Sequence, residues 1–158
     1  RILIHVDDIN DNAPQFTQSS YFVKIPENQP SGSRVLRVVA KDRDLNPELL
    51  YHFLDAETET LPFRVDVASG WITVAGKVDR EETDRYEITV VVTDGKTNRT
   101  SNTTCLVTIL IEDVNDNPPV IENQNLDIFV RADVAEGDLL HVIDAHDADQ
   151  QDQKLNSF

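Results

Sequence analysis

Short runs of alternating apolar and polar residues, separated by turn-forming residues, recur along most of the chain. Between residues 85 and 94, Tyr86, Ile88, Val90 and Val92 occupy every second position, as one buried face of a β-strand requires. No segment has a convincing helical period. The pattern predicts seven strands, at about residues 21–27, 33–41, 49–55, 61–66, 71–76, 85–94 and 101–112.

Seven short strands spaced by turn signals are typical of an all-β sandwich, which we expect to be antiparallel. Cys105, the single cysteine of the chain, shares its phase with Val107, Ile109 and Ile111 in the last strand. It is therefore interpreted as an inert core thiol, with an intermolecular disulfide as the alternative. Trp71 alternates out of phase with its apolar neighbours, which predicts a partly covered aromatic on the outer face of its strand.

The chain repeats itself with a period of 105 residues. The segment Asp8–Pro14 recurs as Asp113–Pro119, and Ala40–Asp44 recurs as Ala145–Asp149, both 105 positions later. An ungapped offset over separate landmarks indicates tandem units of small-domain size. The predicted organisation is the end of a preceding unit with its linker at 1–12, a complete unit at 13–117 and an incomplete start of the following unit at 118–158.

The charge balance narrows the classes of partner. The 158 residues carry 29 Asp and Glu against 14 Lys and Arg, a net charge of −15. That balance argues against nucleic acid and anionic membranes as partners and favours multivalent cations. No apolar run reaches the roughly 18 residues that a transmembrane helix needs, so no direct membrane insertion is expected. Asn98 and Asn102 begin two N-glycosylation sequons in one polar stretch, which favours an extracellular location.

The repeated motif Asp-x-Asn-Asp-Asn-x-Pro offers an oxygen from nearly every side chain. Calcium takes six to eight such ligands from carboxylates, amide carbonyls and backbone. The alternative is an Asx-rich turn, because Asn and Asp side chains also bond their own backbone. Two copies, each where one unit passes into the next, favour calcium as the cofactor.

The chain resembles the extracellular repeats of cadherins. The resemblance rests on the two linker motifs and on further short motifs spread over the repeat, namely Pro26-Glu27-Asn28, Asp42-Arg43-Asp44, Phe63-Arg64-Val65-Asp66, Ser69-Gly70, Asp79-Arg80-Glu81 and Thr93-Asp94-Gly95. It implies a seven-stranded Greek-key, immunoglobulin-like sandwich in tandem, with several calcium ions at each junction.

The resemblance also implies the calcium ligands at both junctions. At the junction around 113–119 the implied ligands are Glu27, Asp79, Glu81, Asp113, the carbonyl of Val114, Asn115, Asp116, Asn117, Asp147 and Asp149. At the junction around 8–14 they are Asp8, Asn10, Asp11, Asn12, Asp42, Asp44 and Asp94.

The function implied by the resemblance is calcium-dependent cell–cell adhesion, in the extracellular part of a single-pass plasma-membrane protein. Its partner would be another cadherin, of the same or a different kind. The alternative is a non-adhesive mechanical tether or a spacer in a receptor ectodomain. An enzyme is not expected, although Asp79 and Glu81 could form a glycosidase-like carboxylate pair, because each already has an implied calcium role.

Overall fold

The computed structural model describes residues 1–45, 47–54, 60–95, 99–100, 104–122 and 128–149. It divides into two compact units, Arg1–Glu112 and Asp113–Phe158, which are treated separately below. The described residues contain strands and turns but no helix, so no membrane-spanning helix is found among them.

The larger unit is an all-β sandwich of the immunoglobulin-like kind. Its strands are β1 Gln15–Phe16, β2 Ser20–Pro26, β3 Arg34–Arg37, β4 Ala40–Lys41, β5 Leu49–Phe53, β6 Phe63–Val65, β7 Trp71–Val74, β8 Arg85–Asp94, β9 Arg99–Thr100 and β10 Cys105–Glu112. One sheet has the order β2-β10-β8-β5, with β9 paired to β8, and another has the order β3-β7-β6. A short β1-β4 pair completes the unit.

The core lies between the two larger sheets. In β8, buried Ile88, Val90 and Val92 alternate with less buried residues, and Tyr86 packs edge-on against Phe63 with ring centroids 5.1 Å apart. In β10 the residues in phase with Cys105 are buried as predicted, and Cys105 itself is fully buried. Burial raises the pKa of the Cys105 thiol to about 11, which keeps it protonated and unreactive near neutral pH.

The predicted strand at 85–94 has the observed bounds, and those at 21–27, 49–55, 61–66 and 71–76 are each found within about two residues. The predicted strand at 33–41 is divided into β3 and β4. The hydrogen-bond ladder between β3 and β7 shifts register between Arg34 and Leu36. Beyond this ladder, the Val38 N–H donates to the Gly70 carbonyl at 3.0 Å. The predicted strand at 101–112 is observed from Cys105 onward, while 101–103 lie outside the described residues.

The expectation of an entirely antiparallel sandwich is wrong. β2 pairs with β10 in parallel, from Ser20 opposite Leu106 to Pro26 opposite Glu112. A parallel pair needs a long connection, and here the rest of the sandwich provides it between the first long strand and the last. Hydrophobic alternation is the same in both orientations, so the sequence pattern could not distinguish them.

In the described part of the smaller unit, residues 113–122 and 128–149, one short antiparallel pair joins β11 Val120–Ile121 to β12 Ala145–His146. Val120 lies opposite His146, and Ile121 lies opposite Ala145. This pair leads directly into residues 147–149, where two of the implied ligands lie.

Candidate metal centre

The first acidic site lies at the start of the larger unit and is termed the Asn12 cluster, made of Asp11, Asn12, Asp42 and Asp44. The backbone N–H of Asn12 donates to Asp44 Oδ2 at 2.8 Å, and its side-chain amide donates to Asp44 Oδ1. The backbone N–H of Asp44 in turn donates to Asp42 Oδ1 at 3.0 Å. Asp44 is only 7% exposed, which is unusual for a carboxylate.

Three further implied ligands lie in the same unit. Asp8 accepts a hydrogen bond from the Leu45 N–H at 2.8 Å through Oδ2, which ties the N-terminal segment to the loop that follows Asp44. Asp94, at the end of β8, is fully buried. Asn10 is partly buried.

The smaller unit contains the same arrangement, termed the Asn117 cluster and made of Asp116, Asn117, Asp147 and Asp149. The backbone and side-chain N–H groups of Asn117 donate to Asp149 at 3.0 and 2.8 Å, and the Asp149 N–H donates to Asp147 Oδ1 at 3.0 Å. The Asn117 amide also donates to Asp116 Oδ1 at 2.8 Å, as Asn12 does to Asp11 at 3.0 Å. Each bond therefore recurs 105 positions later.

Some oxygens in these clusters are buried without a donor. Among the described residues, Asn10 Oδ1, Asp42 Oδ2 and Asp147 Oδ2 have no hydrogen-bond partner. A buried acceptor without a partner costs about 1–3 kcal/mol, and more when it is charged. Because a cation coordinates such oxygens directly, the residues present fit a hard, oxygen-binding metal such as calcium.

A third site, the Glu27 cluster, consists of Glu27, Asp79 and Glu81. One carboxylate oxygen from each of the three lies within 4.8 Å of the other two. Glu27 follows β2 and is 2% exposed, and its Oε2 accepts the Arg80 N–H at 2.9 Å. The sharp turn after it is made by Asn28, which has φ 59° and donates its N–H to the Val78 carbonyl at 3.0 Å.

Two basic side chains accompany the Glu27 cluster and were not predicted from the sequence. Lys77 forms an ion pair with Asp79, and Arg80 forms one with Glu81. Arg80 lies between two implied ligands and Lys77 lies two residues before the first, and this short spacing is the signal that could have identified them.

The carboxylates of Asp79 and Glu81 have pKa values shifted in opposite directions. The hydrogen bond from Lys77 holds the pKa of Asp79 below its usual value. Desolvation raises the pKa of Glu81, and the negative charge of Glu27 adds to that effect. A cation bound beside Glu81 would favour its charged form.

Two implied ligands of the larger unit, Glu27 and Asp94, lie at opposite ends of its main sheet. Pro26 pairs with Glu112 at the end of β2, whereas Asp94 lies at the other end, where β8 meets the start of β10. The ten residues of β8 correspond to about 33 Å of extended chain.

The remaining implied ligands form the segment Asp113–Asn117. Val114 is 38% exposed, Asn115 and Asp116 are exposed, and Asp113 is partly buried. The predicted glycosylation sites Asn98 and Asn102 lie outside the described residues.

The fold and the clusters define the class of protein: an immunoglobulin-like β-sandwich with oxygen-rich acidic clusters at both ends. The cadherin-domain family model matches residues 21–112. Caenorhabditis elegans Cadherin-3 is 48% identical over 152 residues, which cover 96% of this chain and 4% of that protein. Mouse Protocadherin alpha-4 is 38% identical over 156 residues, covering 94% of this chain and 16% of that protein.

Solved structures agree with the sequence relatives. Mouse Cadherin-23 EC22-24 superposes with a TM-score of 0.79 at 30% identity, covering 91% of this chain and 46% of that one. The Protocadherin GammaB4 extracellular domain gives 0.78 at 34% identity, covering 91% and 22%. The chain belongs to the cadherin family. It spans only a small part of the curated relatives that it matches.

Proposed function

We propose that this chain is a calcium-binding segment of a cell-adhesion ectodomain, in which calcium stiffens the linkers between successive repeats. The observation that carries the proposal is the hydrogen-bond frame of the Asn12 cluster, which recurs in the Asn117 cluster. In both clusters the same aspartate, Asp42 or Asp147, has one buried oxygen without a donor among the described residues.

The frame prepares the carboxylates for a cation. The two N–H donors of Asn12 fix the carboxylate of Asp44, and the Asp44 N–H fixes one oxygen of Asp42. The side chains are thereby held while Asp42 Oδ2 stays available for coordination. Pre-positioned ligands lose less conformational entropy when an ion binds.

Different segments of the chain would supply the ligands. We assign calcium to the Glu27 cluster, the Asn117 cluster and the intervening residues Asp113, Val114 and Asn115. A further calcium site would use the Asn12 cluster with Asp8, Asn10 and Asp94. Calcium binding is characteristic of the family, which supports both assignments.

Calcium would act as a mechanical switch on the linkers. Two carboxylates about 5 Å apart repel by roughly 1 kcal/mol in water and more where solvent is excluded. Calcium would replace that repulsion by coordination, so the linker would be stiff with calcium and loose without it. Extracellular modules bind calcium with Kd values of about 10⁻⁴–10⁻³ M, so the switch would respond to extracellular concentrations.

A calcium titration of the thermal unfolding of residues 1–158 tests the proposal. Millimolar calcium should raise Tm and a chelator should reverse the rise, because the ions bind the folded clusters better than the unfolded chain. Asp42→Asn and Asp147→Asn should each reduce the number of ions measured by calorimetry. Glu87→Gln, at an exposed residue paired with Arg85, is the matched control and should not. A Tm that stays constant across the titration would refute the proposal.

We infer that the parent protein acts in cell adhesion, with another cadherin as its partner. This chain would belong to its extracellular part, and a single membrane span would anchor the protein. The family consists of adhesion proteins, which favours this reading over a non-adhesive tether or receptor spacer. Glycans at Asn98 and Asn102 would cover the surface around them, so the partner would bind elsewhere on the molecule. Cells that express the parent protein should aggregate with calcium and disperse in chelator; a tether would give no aggregation in either condition.

A further inference from the structure

Three arginines occupy the outward face of the β3-β7-β6 sheet. Arg34 in β3 and Arg64 in β6 both pair in register with Thr73 of the central strand β7, from opposite sides. Arg37 in β3 pairs with Trp71. Adjacent strands lie about 4.8 Å apart, so the backbones of Arg34 and Arg64 are separated by about 10 Å across one flat surface. We term Arg34, Arg37 and Arg64 with Trp71 the arginine face.

These arginines lack the ion pairs that several other cations of the chain form. Among the described residues, Lys24, Lys77, Arg80, Arg85 and Arg131 each form an ion pair with a carboxylate. Within the same part of the chain, no carboxylate lies within ion-pair distance of Arg34, Arg37 or Arg64, and all three are exposed. A positive surface thus persists on a chain whose net charge is −15.

Two of the three guanidinium groups are held in place. Arg34 Cζ lies 4.8 Å from the centroid of the Trp71 ring, a cation–π contact. The Arg37 Nε–H donates to the Ser69 carbonyl at 2.8 Å, which leaves its terminal N–H groups directed elsewhere. The acidic residue next to β6, Asp66, is engaged by the N–H and hydroxyl of Ser69 at 2.9 and 2.5 Å.

We propose that the arginine face binds a sulfated polysaccharide. Each guanidinium presents a planar set of donors that matches the oxygens of a sulfate group, and the partly exposed Trp71 ring beside them adds apolar contact area for a sugar ring. The charge of the face complements a polyanion. A second copy of the chain carries the same net charge of −15 and is repelled as a whole. A flexible acidic peptide would lose more conformational entropy on binding than a stiff sugar chain.

The test compares heparin binding of residues 1–158 and two charge-matched triple variants in chelator, so that the result does not depend on calcium. The face variant combines Arg34→Gln, Arg37→Gln and Arg64→Gln. The control combines Lys24→Gln, Arg85→Gln and Arg131→Gln, which removes the same charge from ion-paired residues elsewhere. Thermal unfolding confirms that each variant is folded.

Wild type should bind heparin with an affinity that falls as salt rises, because the contacts are ionic. The face variant should bind at least about tenfold more weakly, because charge-assisted hydrogen bonds are lost. The control should change by less than about threefold, a difference of under 1 kcal/mol. Desulfated heparin and poly-glutamate should not bind. Absence of heparin binding, an equal loss in both variants, or equal binding of poly-glutamate would overturn the proposal.

Discussion

Replacing Glu27 with Gln should change the stability little without calcium and lower it clearly with calcium. Glu27 is 2% exposed, and one of its carboxylate oxygens lies within 4.8 Å of an oxygen of Asp79 and of Glu81. Gln has nearly the same shape and retains an oxygen that can accept the Arg80 N–H. The substitution therefore removes a negative charge while leaving the packing intact.

The magnitudes come from two competing terms. Asp79 and Glu81 are accessible to solvent, so water screens much of their repulsion with Glu27. Lys77 and Arg80 offset much of that repulsion through their ion pairs, and a neutral acceptor weakens the Arg80 hydrogen bond by about 1 kcal/mol. Without calcium, the variant should therefore lie within about 1 kcal/mol of wild type.

With calcium the variant should lose the stabilisation that the ions give to the wild type. At about 2 mM calcium and a Kd of about 10⁻⁴–10⁻³ M, each ion contributes about 0.6–1.8 kcal/mol. For a domain of this size that corresponds to a rise in Tm of about 3–14 °C per ion. Glu27→Gln should remove most of the rise contributed by the Glu27 cluster.

Differential scanning calorimetry in chelator and in calcium measures both effects, with Glu87→Gln as the control. The reasoning is refuted if Glu27→Gln lowers Tm equally in the two conditions, since Glu27 would then have only a packing role. It is also refuted if the calcium-induced rise is unchanged.

Three further predictions follow from single residues. Cys105 is fully buried with a pKa of about 11, so a thiol reagent at pH 8 should label it only after unfolding; rapid labelling of the native protein would contradict this. Gly70→Ala should destabilise the protein by about 2 kcal/mol or more, because φ is +72° and the new Cβ would lie 2.5 Å from the Val38 carbonyl oxygen. Gly32→Ala, whose new Cβ would have nothing within 4 Å, should cost only about 1 kcal/mol. Equal losses for the two variants in urea unfolding would contradict this prediction. The hydrogen bonds from Ser69 lower the pKa of Asp66. The stabilisation they give is therefore present above the unfolded-state pKa and is lost as the pH falls through the folded-state pKa. Asp66→Asn should make the free energy of unfolding depend less on pH in the acid range, and an unchanged pH dependence would exclude the effect.

The sequence predicted the parts of the fold in which a single physical rule decides the outcome. Ile88, Val90 and Val92 face the core because the period of a strand is two and one face of β8 is covered. The break between β3 and β4 depends instead on tertiary contacts. The Tyr51 hydroxyl accepts the Ala40 N–H at 3.0 Å, and Gly70 accepts that of Val38, so these backbone groups are satisfied outside the strand ladder.

The acidic clusters were predictable because their motifs recur, whereas their neighbours were not. The offset of 105 residues pairs Asp42 with Asp147 and Asp44 with Asp149, and the hydrogen bonds follow the same offset. The ion pair between Lys77 and Asp79 lies outside the repeated motifs, so only the short spacing between the two residues could have indicated it. The arginine face was also missed, because its members come from separate strands that only the sheet order brings together.

The unpartnered oxygens give a physical reason to assign these clusters to a ligand rather than to folding. An Asx-rich turn that serves only the backbone would satisfy its own acceptors, as Asp44 and Asp149 do. Asp42 and Asp147 instead bury one oxygen each without a donor among the described residues, at a cost of about 1–3 kcal/mol apiece. The same cost arises at equivalent positions in two compact units, so a local packing accident does not account for it. Calcium would satisfy both oxygens, and its removal would restore the cost in both units together.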